Sequence, residues 1–179
     1  MVLDEGTVSL VQVAEKAKRG EAWAIDEALR HPEDMFCGDA ITRLVMQGND
    51  KVRDALFSRM DEEACLDLVL DLAFGRHDQA TEAVIRHADN PKCWEALQFF
   101  ALRHNEKAID FILESTLREG GLRCAITLAE LPCPKARDYI RDLAALIRLA
   151  DRGTPFAKEA LQAHKDYGPE CRERILRLG

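Results

Sequence analysis

The chain has 179 residues, of which 47% are hydrophobic, 32% charged and 6% aromatic, a balance that suits a foldable unit with a core and excludes a disordered segment or a collagen-like fibre. A net charge of -7 and a pI near 5.3 argue against a protein whose affinity rests on neutralising nucleic-acid phosphates. No window reaches the roughly 18 uncharged apolar residues of a membrane span, and Asp4, Glu5 and Glu15 break up the region where a secretion signal would be apolar. A cytoplasmic protein with no membrane contact is expected. The six cysteines, Cys37, Cys65, Cys93, Cys124, Cys133 and Cys171, include no C-x-x-C pair, so reduced thiols are expected rather than a disulfide scaffold or a zinc site.

Taken from the N-terminus, Val8 to Lys18 reads as the second helix of a helix pair, so positions 1–20 form a capping half-repeat. From there, blocks of 28 residues align Ala24-Ile25-Asp26, Val52-Arg53-Asp54, Ala80-Thr81-Glu82, Ala108-Ile109-Asp110 and Ala136-Arg137-Asp138 without a gap. A second column holds Cys37, Cys65 and Cys93, followed by Gly121; a third holds Leu44, Leu72, Phe100, Leu128 and Phe156. Inside a block the apolar residues recur at three- and four-residue spacing, as in Val52, Leu56 and Phe57 and then Cys65, Leu66, Val69, Leu72 and Ala73, and no stretch alternates with period two.

Helix punctuation divides each block into two short helices. Asn49-Asp50, His77-Asp78, Asn105-Glu106 and Cys133-Pro134 open the first helix of a pair, and Asp61 and Asn90-Pro91 open the second. Near the C-terminus the pattern recurs in Cys171-Arg172-Glu173, but Glu173 follows Asp138 by 35 residues, so a surplus lies between Leu143 and Thr154, where one helix runs long before Gly153-Thr154-Pro155 stops it. The expectation is a single helical-repeat domain over 1–179, with about six helix pairs and twelve helices and an irregular C-terminal cap over 143–179. Short helices with one apolar stripe each cannot fold alone, so neighbouring pairs must stack to make a core.

At Asp50-Lys51-Val52-Arg53-Asp54-Ala55-Leu56 and Pro134-Lys135-Ala136-Arg137-Asp138-Tyr139-Ile140 the chain resembles the HEAT-like repeat family, particularly the short bacterial type related to phycobilisome lyases. The resemblance implies an all-α, right-handed α-solenoid in which the first helix of each pair lines the concave face. Ile25, Thr81 and Ile109 stand where that family has arginine.

The acidic column Asp26, Asp54, Glu82, Asp110, Asp138 and Glu173 lies two residues beyond the small column, about 200° around the helix and hence on the solvent side when the small residue packs. Two roles suit it. It can bind a basic peptide through charge-assisted hydrogen bonds, or each acid can pair with Lys51, Lys107 or Lys135 three residues earlier, or with an arginine of the next repeat, and solvate the face. Trp23, Phe111 and Tyr139 sit on or within a turn of the same column and are candidate anchors for a partner, with end-covering or burial as the structural alternative. Trp94, on a second helix, is expected in the core or on the convex side.

The cysteine column falls in the apolar stripe and spans neighbouring helices about 10 Å apart, too far for one zinc ion, so packing is expected; Cys133, between two prolines, is expected to be the most reactive thiol. No catalytic constellation appears: there is no His-Glu dipeptide of the HEAT-like iron hydroxylases, no G-x-S-x-G, P-loop or G-x-G-x-x-G, and Glu119-Gly120-Gly121 reads as a helix junction. The acidic column also departs from the basic groove of repeat-built DNA glycosylases. The reading is a non-enzymatic scaffold, without metal or cofactor, that binds a protein or basic peptide at Trp23, Asp26, Asp54, Glu82, Asp110, Phe111, Asp138 and Tyr139. The alternative is a lyase-type accessory enzyme or chaperone holding a bilin-like small molecule in the groove.

Overall fold

The computed structural model describes residues 9–118, 120–164 and 166–179; Val8 and Glu119, which begin two of the expected features, lie outside the described residues. Among the described residues there are twelve helices, making up 73% of them, and no strand. They gather into two compact units that divide between His87 and Ala88.

The first unit holds α1 (Leu10–Lys18), α2 (Ala22–Ala28), α3 (Met35–Met46), α4 (Asp50–Phe57), α5 (Glu63–Phe74) and α6 (Asp78–Arg86). Local chemistry sets most of these boundaries. Ser9 and Gln12 form a reciprocal capping box on α1, and the side chains of Asp34, Asn49 and His77 accept first-turn N–H groups of α3, α4 and α6. At α5 the cap is Glu62 rather than the expected Asp61. Its carboxylate makes no cap bond because Arg59 takes both oxygens, at 2.8 and 2.6 Å.

The ends of α1, α3 and α5 share one device. Two residues past each helix the chain turns left-handed at Gly20 (φ 87°), Gly48 (φ 83°) and Arg76 (φ 66°). The next N–H then reaches back into the helix: Glu21 to the Lys16 carbonyl, Asn49 to Leu44 and His77 to Leu72, at 3.0–3.2 Å. Asn49 and His77 then cap the following helix, so one short turn ends one helix and starts the next.

Packing in this unit centres on α3, which meets α1, α2, α4 and α5, while α5 also meets α6. Ala17, Ala24, Ala28, Cys37, Val52, Cys65 and Ala80 are buried at the helix contacts, with Ile41, Leu56, Val69, Leu72 and Val84 filling the space between. The small side chains let the axes approach, and each larger aliphatic contributes about 1.5–3 kcal/mol on burial.

The second unit holds α7 (Pro91–Leu102), α8 (Glu106–Glu114), α9 (Gly121–Glu130), α10 (Pro134–Asp151), α11 (Pro155–Gln162) and α12 (Pro169–Leu178). Asn90 caps α7 ahead of Pro91, and Asn105 caps α8 after a left-handed His104 (φ 63°). The 18-residue α10 takes up the surplus between Leu143 and Thr154 and ends at Gly153 (φ 92°) and Pro155. Its stripe of Ala136, Ile140, Leu143, Ala144 and Ile147 is buried against α8, α9, α11 and α12.

Two features of this unit differ from expectation or were not anticipated. Phe156, expected to continue the buried Leu44-Leu72-Phe100-Leu128 column, is 71% exposed; α11 meets α10 through Ala157 and Leu161, which leaves the first-turn Phe156 outside. α12 packs on α9 as well as α10, fastened by Arg174, whose Nε and Nη2 donate to Glu130 at 3.0 and 2.8 Å.

Candidate binding face

Ala24, Val52, Ala80, Ala108, Ala136 and Cys171 are all buried, and the acids two positions later, Asp26, Asp54, Glu82, Asp110, Asp138 and Glu173, are all exposed. The cause is geometric: two helical steps turn the side chain to the far side of the cylinder from the packed residue. These acids lie on α2, α4, α6, α8, α10 and α12.

Their ionic partners come partly from the same helix and partly from the next. On α4 the Arg53 guanidinium donates to Asp50 and, at 2.7 Å, to Asp54, and reaches Gln79 of α6 at 2.8 Å. Lys135 of α10 reaches back across 25 residues to sit 2.6 Å from Glu106 and 2.8 Å from Asp110 of α8. The two carboxylates, Asp110 first, hold this ammonium well above its ordinary pKa. Asp138 pairs with Arg141 at 3.0 Å. Lys135 therefore serves the preceding helix rather than the acid three residues after it. Asp26 and Glu173 make no ion pair among the described residues. The carboxylates of Asp54, Asp110 and Asp138 are 68%, 52% and 68% exposed even while paired, so each keeps open lone pairs for a second donor.

The three aromatic candidates differ in availability. Trp23 is 46% exposed, with its indole N–H donated to Glu21 at 3.1 Å and the Lys16 ammonium 4.9 Å above the ring. Phe111 is half-buried, edge-on to Trp94 at 6.1 Å and covered by the Arg118 guanidinium at 5.7 Å. Tyr139 is half-buried too, and its hydroxyl shares a 2.6 Å hydrogen bond with Thr116; burial raises its pKa. Phe111 and Tyr139 thus have internal work, while Trp23 presents nearly half its surface beside Asp26.

The thiols pack. Cys37, Cys65 and Cys93 are buried, and burial pushes all three upward in pKa, Cys37 to about 11. Cys133 corrects the sequence reading: it is only 4% exposed, because as the N-cap of α10 its N–H bonds the Leu131 carbonyl at 2.7 Å and its side chain turns inward. The one partly exposed thiol is Cys124, raised to about 11 by burial. Among the described residues no group of three or more His, Cys, Asp or Glu is placed to hold a metal ion, and no helix is long and apolar enough to cross a membrane.

One set of surface residues escaped the sequence reading. Met46, Phe74 and Leu102 end α3, α5 and α7 and are 57%, 44% and 45% exposed. Their common 28-residue spacing was visible in the sequence, but their apolar character reads as core until the left-handed turn after each helix is known. Comparison of the chain with family models, with curated proteins and with solved structures returns no match.

Proposed function

We propose that this chain is a non-enzymatic binding scaffold of the HEAT-like, phycobilisome-lyase-related repeat type, a right-handed α-solenoid whose first helices offer an acidic face to a basic protein or peptide in the cytoplasm. One observation carries the reading: six acids at one repeat position all face solvent while the small residue two places earlier is always buried. The repeat reading draws further support from α4, α6, α8 and α10, which begin at Asp50, Asp78, Glu106 and Pro134, and from the turn device shared by α1, α3, α5 and α7. Trp23 beside the ion-pair-free Asp26 is the strongest anchor, because aromatic surface next to an uncommitted carboxylate suits a lysine or arginine side chain.

The test is a fluorescence titration of the full chain with an arginine-rich peptide at low and physiological salt. Binding should weaken with salt, since exposed charges are screened over about 8 Å at physiological ionic strength. Changing Asp26, Asp54, Glu82 and Asp110 together to their amides should reduce affinity and flatten the salt slope. Equal affinity of the amide variant would defeat the proposal.

A further inference from the structure

We propose that the second unit carries a small-molecule site for a monocarboxylate with an apolar body, in the cleft between α7 and α9, where Arg123 takes the carboxylate. The cleft encloses about 320 Å³. Buried Ile112 and Leu128 and the half-exposed Leu102 give it an apolar lining, which is the usual make-up of a small-ligand pocket. At one end Gly120, in a left-handed turn (φ 81°), leaves room that a Cβ would take, 3.4 Å from the Trp94 indole nitrogen.

Arg123 is the one ionised side chain among the described lining residues. It is exposed, and its guanidinium has no hydrogen bond or ion pair among the described residues. Arg118, Arg141, Arg172, Arg174 and Arg177 of this unit each hold a carboxylate, whereas Arg148 and Arg152 are exposed and unpaired among the described residues, as Arg123 is; what sets Arg123 apart is that its open donors line an apolar cleft. A guanidinium there matches a single carboxylate in a bidentate pair. A phosphate dianion would leave part of its charge unmatched, because no second cation lines the cleft among the described residues. At about 320 Å³ the cleft lies at the small end of small-ligand pockets, which suits a carboxylate as small as octanoate. Cys124, which lines the same cleft and is the one thiol not buried, is held mostly neutral by burial, its pKa raised to about 11, so it alkylates slowly and its protection by a ligand can be followed. This site is independent of the acidic face, so failure of either reading leaves the other standing.

Octanoate and its uncharged analogue 1-octanol are titrated against the full chain by calorimetry, with N-ethylmaleimide modification of Cys124, mapped by mass spectrometry, as a positional readout. Octanoate should bind saturably and slow modification of Cys124, and Arg123→Gln should weaken octanoate about tenfold while leaving the weaker octanol binding unchanged. Circular dichroism of the Arg123→Gln protein verifies that the exposed substitution leaves the helices intact. The proposal is overturned by no saturable octanoate binding, by equal affinity for octanol and octanoate, or by an Arg123→Gln protein that binds octanoate like the parent.

Discussion

Left-handed turns follow α1, α3, α5 and α7, and the residue at the turn is glycine in the first two and Arg76 or His104 in the others, at φ 66° and 63°. A residue with a Cβ in this region carries about 1–2 kcal/mol of steric cost that glycine does not. Glycine returns part of that gain, about 0.4–1 kcal/mol, through the larger freedom of its unfolded chain. Both side chains are exposed and make no hydrogen bond or ion pair among the described residues, so replacing them removes no interaction. Arg76→Gly and His104→Gly should therefore each stabilise the protein by about 0.5–1 kcal/mol. The two sites lie in separate units and should add, raising the melting temperature of the double variant by roughly 2–8 °C. Gly48→Ala is the reverse experiment: nothing lies within 4 Å of the added Cβ, so its expected loss of about 1 kcal/mol is purely conformational. Urea and thermal denaturation of the parent and these four variants at one pH read the effect. Unchanged or lower midpoints for both glycine variants would refute the assignment of these turns.

Three further outcomes follow from packing and charge. Gly121→Ala should be strongly destabilising, by about 3 kcal/mol or more, because the added Cβ would stand 2.1 Å from the Ser115 carbonyl oxygen and 2.8 Å from its carbon, and backbone cannot give way as a side-chain tip can; a melt within 1 kcal/mol of the parent contradicts this. Arg174 holds Glu130 below the usual carboxylate range, so the pair stabilises the fold above the unfolded value of about 4.3 and that contribution fades as pH falls through the lower folded value. Glu130→Gln should thus cost about 1 kcal/mol at neutral pH for this partly exposed bidentate pair, and the deficit should shrink in acid; a pH-independent deficit would count against it. Cys65, 1% exposed, should tolerate alanine better than serine, the latter costing about 1–3 kcal/mol for a buried hydroxyl without a partner, as judged by denaturant melts of the two variants side by side.

Much of this protein was legible in its sequence because the responsible forces act within one or two helical turns. Asn49, His77, Asn90 and Asn105 cap the helices they were expected to open, and the alternation of a buried small residue with an exposed acid two steps on follows from the 100° helical rotation alone. The acids' partners were not legible: the choice of Lys135 for Glu106 and Asp110 depends on how closely α10 lies beside α8, which no local spacing encodes. Cys133 looked exposed because proline flanks usually mark a surface loop, yet the N-cap turn of α10 carries its side chain inward. Phe156 kept the column's register in sequence but lost its partner in space, because the long α10 leaves α11 resting on Ala157 and Leu161. Likewise the docking of α12 on α9 through Arg174 and Glu130, 44 residues apart, and the Thr116–Tyr139 hydrogen bond join segments that the chain brings together only on folding. Periodicity and capping are properties of neighbouring residues and are written in the sequence; burial of a given side chain and the partner of a given charge depend on which helices meet, and the tertiary structure alone settles them.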